Sequence, residues 1–209
     1  MRSQKIILLL LFVIILGGCA SGYKMINPQS LNYQSSTIDK AVTFDYKYNL
    51  LYSRYAKKET NNKVRLIAVK IANNSGKALV FGKDIKLTYT NGHEIAVMDA
   101  DKVYGQLKQG SLGYLFYLLL TPAKLNVTNG VTTSSTPIGY AIGPGLALGN
   151  IIAATSANDN FKKEIMQYNI NGSVIKNGET AYGLIGIESD NFDAIKIKVE
   201  YSEAASLGN

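Results

Sequence analysis

The first nineteen residues decide where everything after them must fold. Arg2 and Lys5 form a short basic start, residues 6–16 are an unbroken apolar run, and Leu16-Gly17-Gly18 leads into Cys19, the one cysteine of the chain. A basic start, an apolar run of this length and an exit through small residues read as a secretory signal, residues 1–18, rather than a helix of the fold. The run is about half of the ~20 residues that a bilayer span requires. With one cysteine, the chain has no internal disulfide to form and no cysteine metal site.

The ending Leu16-Gly17-Gly18-Cys19 resembles the lipobox of bacterial lipoproteins. That resemblance implies cleavage before Cys19, lipidation of its thiol and a membrane partner held through that lipid. The bland alternative is an ordinary signal peptide cut nearby. In lipoproteins of this kind an aspartate after the cysteine signals inner-membrane retention. Ala20 stands there, which implies the outer membrane. Ala20-Ser21-Gly22-Tyr23-Lys24 carries no acidic residue of the sort found in some surface-exported lipoproteins, so the periplasmic face is expected over the cell surface. Residues 19–36 are polar and show no period, as a flexible tether would. The remainder, 37–209, is long enough for one domain with its own core.

The chain has 22 basic and 15 acidic residues. Removing residues 1–18 takes away two basic ones, leaving 20 against 15, a charge of +5. Lys57, Lys58, Lys83, Lys86, Lys162, Lys163, Lys196 and Lys198 are dispersed, and no nucleic-acid motif accompanies them. The basic balance reads as a solvated surface, with no nucleic-acid partner.

From Val42 the hydrophobic period becomes two. Val42, Phe44, Tyr46 and Tyr48 alternate with Thr43, Asp45 and Lys47, which predicts a half-buried strand over 42–48. Further strands are expected over 64–72, 78–81, 85–90, 94–98, 181–187 and 194–201. The turns between them are Asn61-Asn62, Asn73-Asn74-Ser75-Gly76, Asn91-Gly92, Asn177-Gly178 and Ser189-Asp190-Asn191. Seven short strands at this spacing predict an antiparallel β-sandwich.

Two blocks then resemble the immunoglobulin-like domains of envelope lipoproteins. One is Ile71-Ala72-Asn73-Asn74-Ser75-Gly76. The other is Asn177-Gly178-Glu179-Thr180 running into Gly183-Leu184-Ile185, followed by a last Ile-Lys-Ile-Lys-Val strand. Those domains mostly bind or scaffold, and they share no catalytic site. The Cys…Trp…Cys pattern of true immunoglobulin domains is absent, since the chain has no Trp and no second Cys.

Between the two sets of strands the sequence changes character. Residues 111–154 carry a single charge, Lys124. Residues 112–120 are almost all large and apolar, and 138–154 are apolar and Gly-rich, with a Thr/Ser/Asn-rich turn region over 126–136. Gly139/Gly143 and Gly145/Gly149 have the small-xxx-small spacing that lets helices approach closely. Pro144 suits the first turn of a helix over 146–154, which continues or restarts at Asn158 with Phe161, Ile165 and Tyr168 on one face. A weaker helix is expected over 99–108. The whole reads as a fold that is mainly β with an α insertion, an apolar helical hairpin at about 99–168.

Eight large apolar side chains in 112–120, at about 2 kcal/mol each, forfeit on the order of 16 kcal/mol if left in water. A domain's net stability is ~5–15 kcal/mol, so these side chains need a burial site. Nine helical residues reach ~14 Å against a hydrocarbon core of ~30 Å, too short to span. The expectation is burial on the protein's own sheet, with a partner or second copy and shallow insertion into a leaflet as the alternatives.

No catalytic constellation stands out. His93, the sole histidine, sits in the Asn91-Gly92 turn without an evident partner, so a solvent-exposed turn residue is expected. Gly110-Ser111-Leu112-Gly113 is one residue short of a nucleophile elbow. Gly143-Pro144-Gly145 with Gly149 misses the dinucleotide spacing. Asp99-Ala100-Asp101 and residues 190–193 lack the calcium-loop continuation. Tyr46, Tyr48, Tyr52 and Tyr55 suit a strand face better than a sugar-stacking platform. No catalytic, cofactor or metal site is therefore assigned, and Cys19 is the one site residue, for lipid. The leading expectation is a non-enzymatic binding or scaffolding lipoprotein whose partner is an envelope protein or glycan. The alternatives are an envelope hydrolase, in which carboxylates such as Asp84 and Glu94 would meet in space, and a membrane-perturbing protein using 111–154.

Overall fold

The structure, a computed structural model, describes residues 19–33, 35–129 and 132–201. The expected signal segment, 1–18, lies outside these residues. The chain divides into two compact units, a larger one from Lys24–Lys108 and the residues from Asn160 onward, and a smaller one from the residues up to Tyr23 and Gln109–Asp159.

The larger unit is built on antiparallel sheets. β1 (Ser35–Asp39), β2 (Val42–Lys47), β3 (Val64–Asn73), β11 (Thr180–Glu188) and β7 (Val97–Met98) form a five-stranded sheet in that order. β12 (Ile195–Val199), β5 (Ile85–Tyr89) and β6 (Glu94–Ile95) form a second sheet, and β4 (Leu79–Val80) pairs with β10 (Val174–Ile175). The alternation expected from Val42 is present: Val42, Phe44 and Tyr46 are buried, and their neighbours on β2 are not. Along β12, Ile195, Ile197 and Val199 are buried between exposed lysines. These residues join Ile67, Val69, Ile71, Ile85, Leu87, Ile185 and Ile187 in one core shared by the two sheets. Polar contacts tie the edges together, since Val199 N–H donates to the Asp39 carboxylate at 2.6 Å and Lys40 Nζ donates to the Val199 carbonyl at 2.7 Å.

β3 departs from simple alternation. Val64, Leu66 and Ala68 are buried as well as Ile67, Val69 and Ile71, so both faces of this strand are covered. The second face is covered by helices of the same unit. α1 (Ser53–Asn61) packs on β3, and α2 (Ala100–Leu107) packs on β3 and β11. A Cβ on Gly186 would run into the Val103 side chain, so glycine allows α2 to lie close to the sheet. Tyr55 of α1 meets Phe161 edge-on at 4.9 Å between ring centroids.

The expected tether is partly fastened. Ile26 and Asn27 N–H donate to the buried carboxylate of Glu164 at 2.7–3.0 Å, Ile26 and Pro28 are buried, and Pro28–Ser30 is a single 3₁₀ turn. β1 begins at Ser35, inside the expected tether.

The smaller unit differs from a helical hairpin. Leu112–Leu120 is a 3₁₀ helix, and the expected turn region holds a β-hairpin of β8 (Leu125–Asn129) and β9 (Thr132–Thr136). α3 (Gly139–Gln167) then runs as one helix with Pro144 inside it, so the proline does not open the helix and Asn158 does not restart it. The residues after Asp159 belong to the larger unit, as does α2. Gly139 and Gly143 do serve close approach. A Cβ on either would meet backbone between Tyr117 and Ala123, whereas Gly145 and Gly149 face open space.

Burial of the 112–120 run on the protein's own sheet is corrected. Tyr114 and Tyr117 are buried, but Leu112, Leu115, Phe116, Leu118 and Leu119 are exposed. The reason is geometric: at three residues per turn, one row of three points inward and the other two point out. Among the described residues no helix is long and apolar enough to cross a membrane.

Candidate functional site

A concave polar feature with converging side chains lies on the larger unit, on the face of the five-stranded sheet away from the shared core. β-Register sets Ser36 opposite Asp45, Asp45 opposite Lys70, and Lys70 opposite Tyr182, a single row across β1, β2, β3 and β11. The helices cover Leu66 and Ala68 on this face, but Lys70, two residues further along β3, is only half-buried. The row floors a cleft of about 330 Å³, walled by Gln29, Leu31 and Tyr33.

Lys70 Nζ and Asp45 Oδ2 lie 3.0 Å apart, and this contact raises the Lys70 ammonium above its ordinary pKa. The Tyr33 hydroxyl lies 2.9 Å from the Pro28 carbonyl and 3.3 Å from that of Val69. Burial, then Tyr182 and Asp45, push its pKa well above the ordinary tyrosine value. Lys70 and Tyr33 therefore both stay protonated at neutral pH. Such a surface can hydrogen-bond a polar ligand as donor and as acceptor. Sequence reasoning passed over this row because Ser36, Asp45, Lys70 and Tyr182 are far apart in the chain, and only the register aligns them.

The residues singled out in the sequence have local roles. His93 is exposed in its turn, where its N–H donates to Asn91 Oδ1. Asp99 caps α2 by accepting from Asp101 N–H, and Asp101 pairs with Lys162. Asp190 pairs with Lys63. Asp84 accepts from Val80 N–H and Glu94 lies 3.6 Å from Lys86, so each of these carboxylates has its own partner. Tyr46 and Tyr48 belong to an aromatic ladder that runs from Phe44 to Phe192 and ends under the Arg65 guanidinium. Tyr55 is buried, and Tyr52 is exposed beneath Lys24. Among the described residues no group of three or more His, Cys, Asp or Glu could hold a metal ion.

Cys19 is exposed, and the residues after it are held by a chain of side-chain amides within the smaller unit. Asn158 of α3 grips the Gln109 backbone by both N–H and carbonyl at 2.9 Å. The Gln109 amide in turn grips the Ser21 backbone at 3.1 and 2.7 Å. Ala20 N–H donates to Asn150 Oδ1. Comparison with protein-family models, with curated proteins and with solved structures finds no match to this chain.

Proposed function

We propose that this protein is a lipid-anchored lipoprotein of the bacterial envelope, held in the periplasmic face of the outer membrane by lipid on Cys19. Its β-rich unit, read as an immunoglobulin-like sandwich with helices on one face, binds or scaffolds an envelope protein or glycan and does no chemistry of its own. The observation that carries the reading is the run Leu16-Gly17-Gly18-Cys19 after a basic and apolar start. The exposure of Cys19 supports it, because an acylated side chain needs an open position. The two blocks that resemble immunoglobulin-like domains are also neighbours in space. Asn73 N–H donates to the Glu179 carbonyl, Gly178 N–H to that of Asn73, and Gly76 N–H to Asn177 Oδ1. The binding surface of this reading is the row Ser36, Asp45, Lys70 and Tyr182, whose paired charges and hydroxyls suit a polar partner.

The test is the intact mass of the protein extracted from envelopes, together with a pull-down. The mature chain should start at Cys19 and carry diacylglycerol and an amide-linked acyl chain, more than one chain being what stable anchoring requires. Wild-type protein should recover a partner from detergent-solubilised envelopes that Lys70→Glu fails to recover. A mature chain starting elsewhere, or with an unmodified Cys19 thiol, overturns the anchor. Equal recovery by wild type and Lys70→Glu overturns the cleft.

A further inference from the structure

The smaller unit leaves two apolar faces without cover. On the 3₁₀ helix Leu112–Leu120, the inward row is Tyr114, Tyr117 and the half-buried Leu120, while Leu112, Phe116 and Leu119 are 79, 73 and 72 % exposed. On α3, Ala147, Asn150 and Ala154 face inward. At 100° per residue Leu148 and Ile152 emerge on the opposite side, and they are 61 and 60 % exposed. Tyr140, a little over two turns before Leu148, is 68 % exposed. Lys124 is the single charge between Ser111 and Ala154. Exposed large apolar side chains gathered on two elements of one small unit mark a place where something docks.

The chain itself indicates the occupant. Cys19, the lipid site proposed above, lies in the same compact unit as both faces. Ala20 packs against the cluster of Tyr114, Tyr117, Ala147 and Ala154, with its N–H on Asn150 of α3. Ser21 is held at two points by Gln109, and Gln109 at two points by Asn158. The attachment point therefore does not hang on a free tether. It is one residue from a backbone bond to the helix that carries Leu148 and Ile152.

We propose that the exposed faces of 112–119 and 140–152 lie in the headgroup–acyl boundary of the leaflet that holds the Cys19 lipid. The smaller unit is then a monotopic membrane seat, and acyl chains complete the burial that the 112–120 run demands. This rests on the lipid anchor proposed above. The absence of charge on both faces favours acyl chains over a protein surface, whose rim would ask for polar partners.

The test uses the full lipidated chain in vesicles of phosphatidylethanolamine and phosphatidylglycerol. With the Cys19 sulfur in a thioether, Phe116→Cys, Ile152→Cys or Lys196→Cys supplies the sole free thiol for an environment-sensitive fluorophore. The expected result is a blue shift at 116 and 152, with emission lost when spin-labelled acyl chains are added, and neither effect at 196 in the larger unit. Two positions on separate elements keep the test decisive if one variant fails to fold. Unquenched label at both positions overturns the proposal. So does self-quenching that grows with protein density and ignores the spin-labelled lipid, which would mark a second copy as the occupant. Failure of the anchor shows separately, as labelling of the wild-type chain at Cys19.

Discussion

Glu59 shows how burial and pairing compete at a single residue. It lies on the inner side of α1, 4 % exposed, and accepts Leu66 N–H at 2.8 Å. Burial raises its pKa above the ordinary value, and the Leu66 bond and the Arg65 charge only partly offset that. A carboxyl raised in this way favours the fold where it is protonated, below its ordinary value of 4.5, and that contribution is lost as pH rises through the raised value. Glu59→Gln keeps the shape without the charge. It should therefore melt above wild type at pH 7, with the difference closing as the pH falls toward 4. Thermal denaturation at the two pH values checks this. A variant less stable at both would show that the bonds made by the carboxylate outweigh its burial.

At the scale of elements, the β1–β2 turn is built against its own residues. Lys40 and Ala41 both take positive φ, 45° and 63°, where a two-residue hairpin turn normally uses Asn-Gly or Gly-Gly. Side chains of L-residues cost about 1–2 kcal/mol in this region. Lys40 keeps a role, through the Val199 carbonyl and the Tyr201 ring. Ala41 has none that requires its methyl, so Ala41→Gly should stabilise by about 1 kcal/mol, less the extra freedom glycine gains in the unfolded chain. The expected readout is a rise in melting temperature of ~2–4 °C for a chain of this length. No rise, or a fall, would mean that the methyl packs in a way that outweighs the strain. The same turn explains what the sequence concealed. β1 reads Ser-Ser-Thr-Ile-Asp with its one large apolar residue, Ile38, exposed, so no alternation announces it. α1 buries only Tyr55 and Glu59, one turn apart, in an otherwise polar stretch. β8 holds two Asn and one Thr, β9 is all Thr and Ser, and both look like a turn until they pair. The strands with apolar residues at every second position, β2, β5 and β12, were legible because those residues are the ones turned into the shared core. Asn73-Asn74-Ser75-Gly76 was legible as a turn, but not the bonds from the buried Asn73 side chain to Lys77 and Ile175 that fasten it. The candidate cleft was illegible because pairing register, not sequence spacing, assembles it.

Across the whole molecule, the physics of burial is divided unevenly. β3 and β11 are paired over their full overlap, from Ala72 with Thr180 to Val64 with Glu188. β3 also pairs with β2, β11 also pairs with β7, and helices close the second face. The amides in the buried part of this overlap, Arg65–Val69 with Gly183–Ile187, can therefore exchange only when the larger unit opens as a whole. The β8–β9 hairpin is the opposite case. It has two strands and no third, and β9 is exposed along its length. A lone hairpin of this kind is marginally stable in water. Leu112–Leu120 lies between these limits, with one row buried and two exposed. Hydrogen exchange followed by mass spectrometry should therefore rank the amides in that order: β8–β9 within the first time points, Leu112–Leu120 next, β3 and β11 last. Adding lipid vesicles should slow Leu112–Leu120 and the first half of α3 and leave β3 and β11 unchanged. Protection of β8–β9 equal to that of β3 in detergent would contradict this ranking, since nothing in the hairpin's own pairing could supply it.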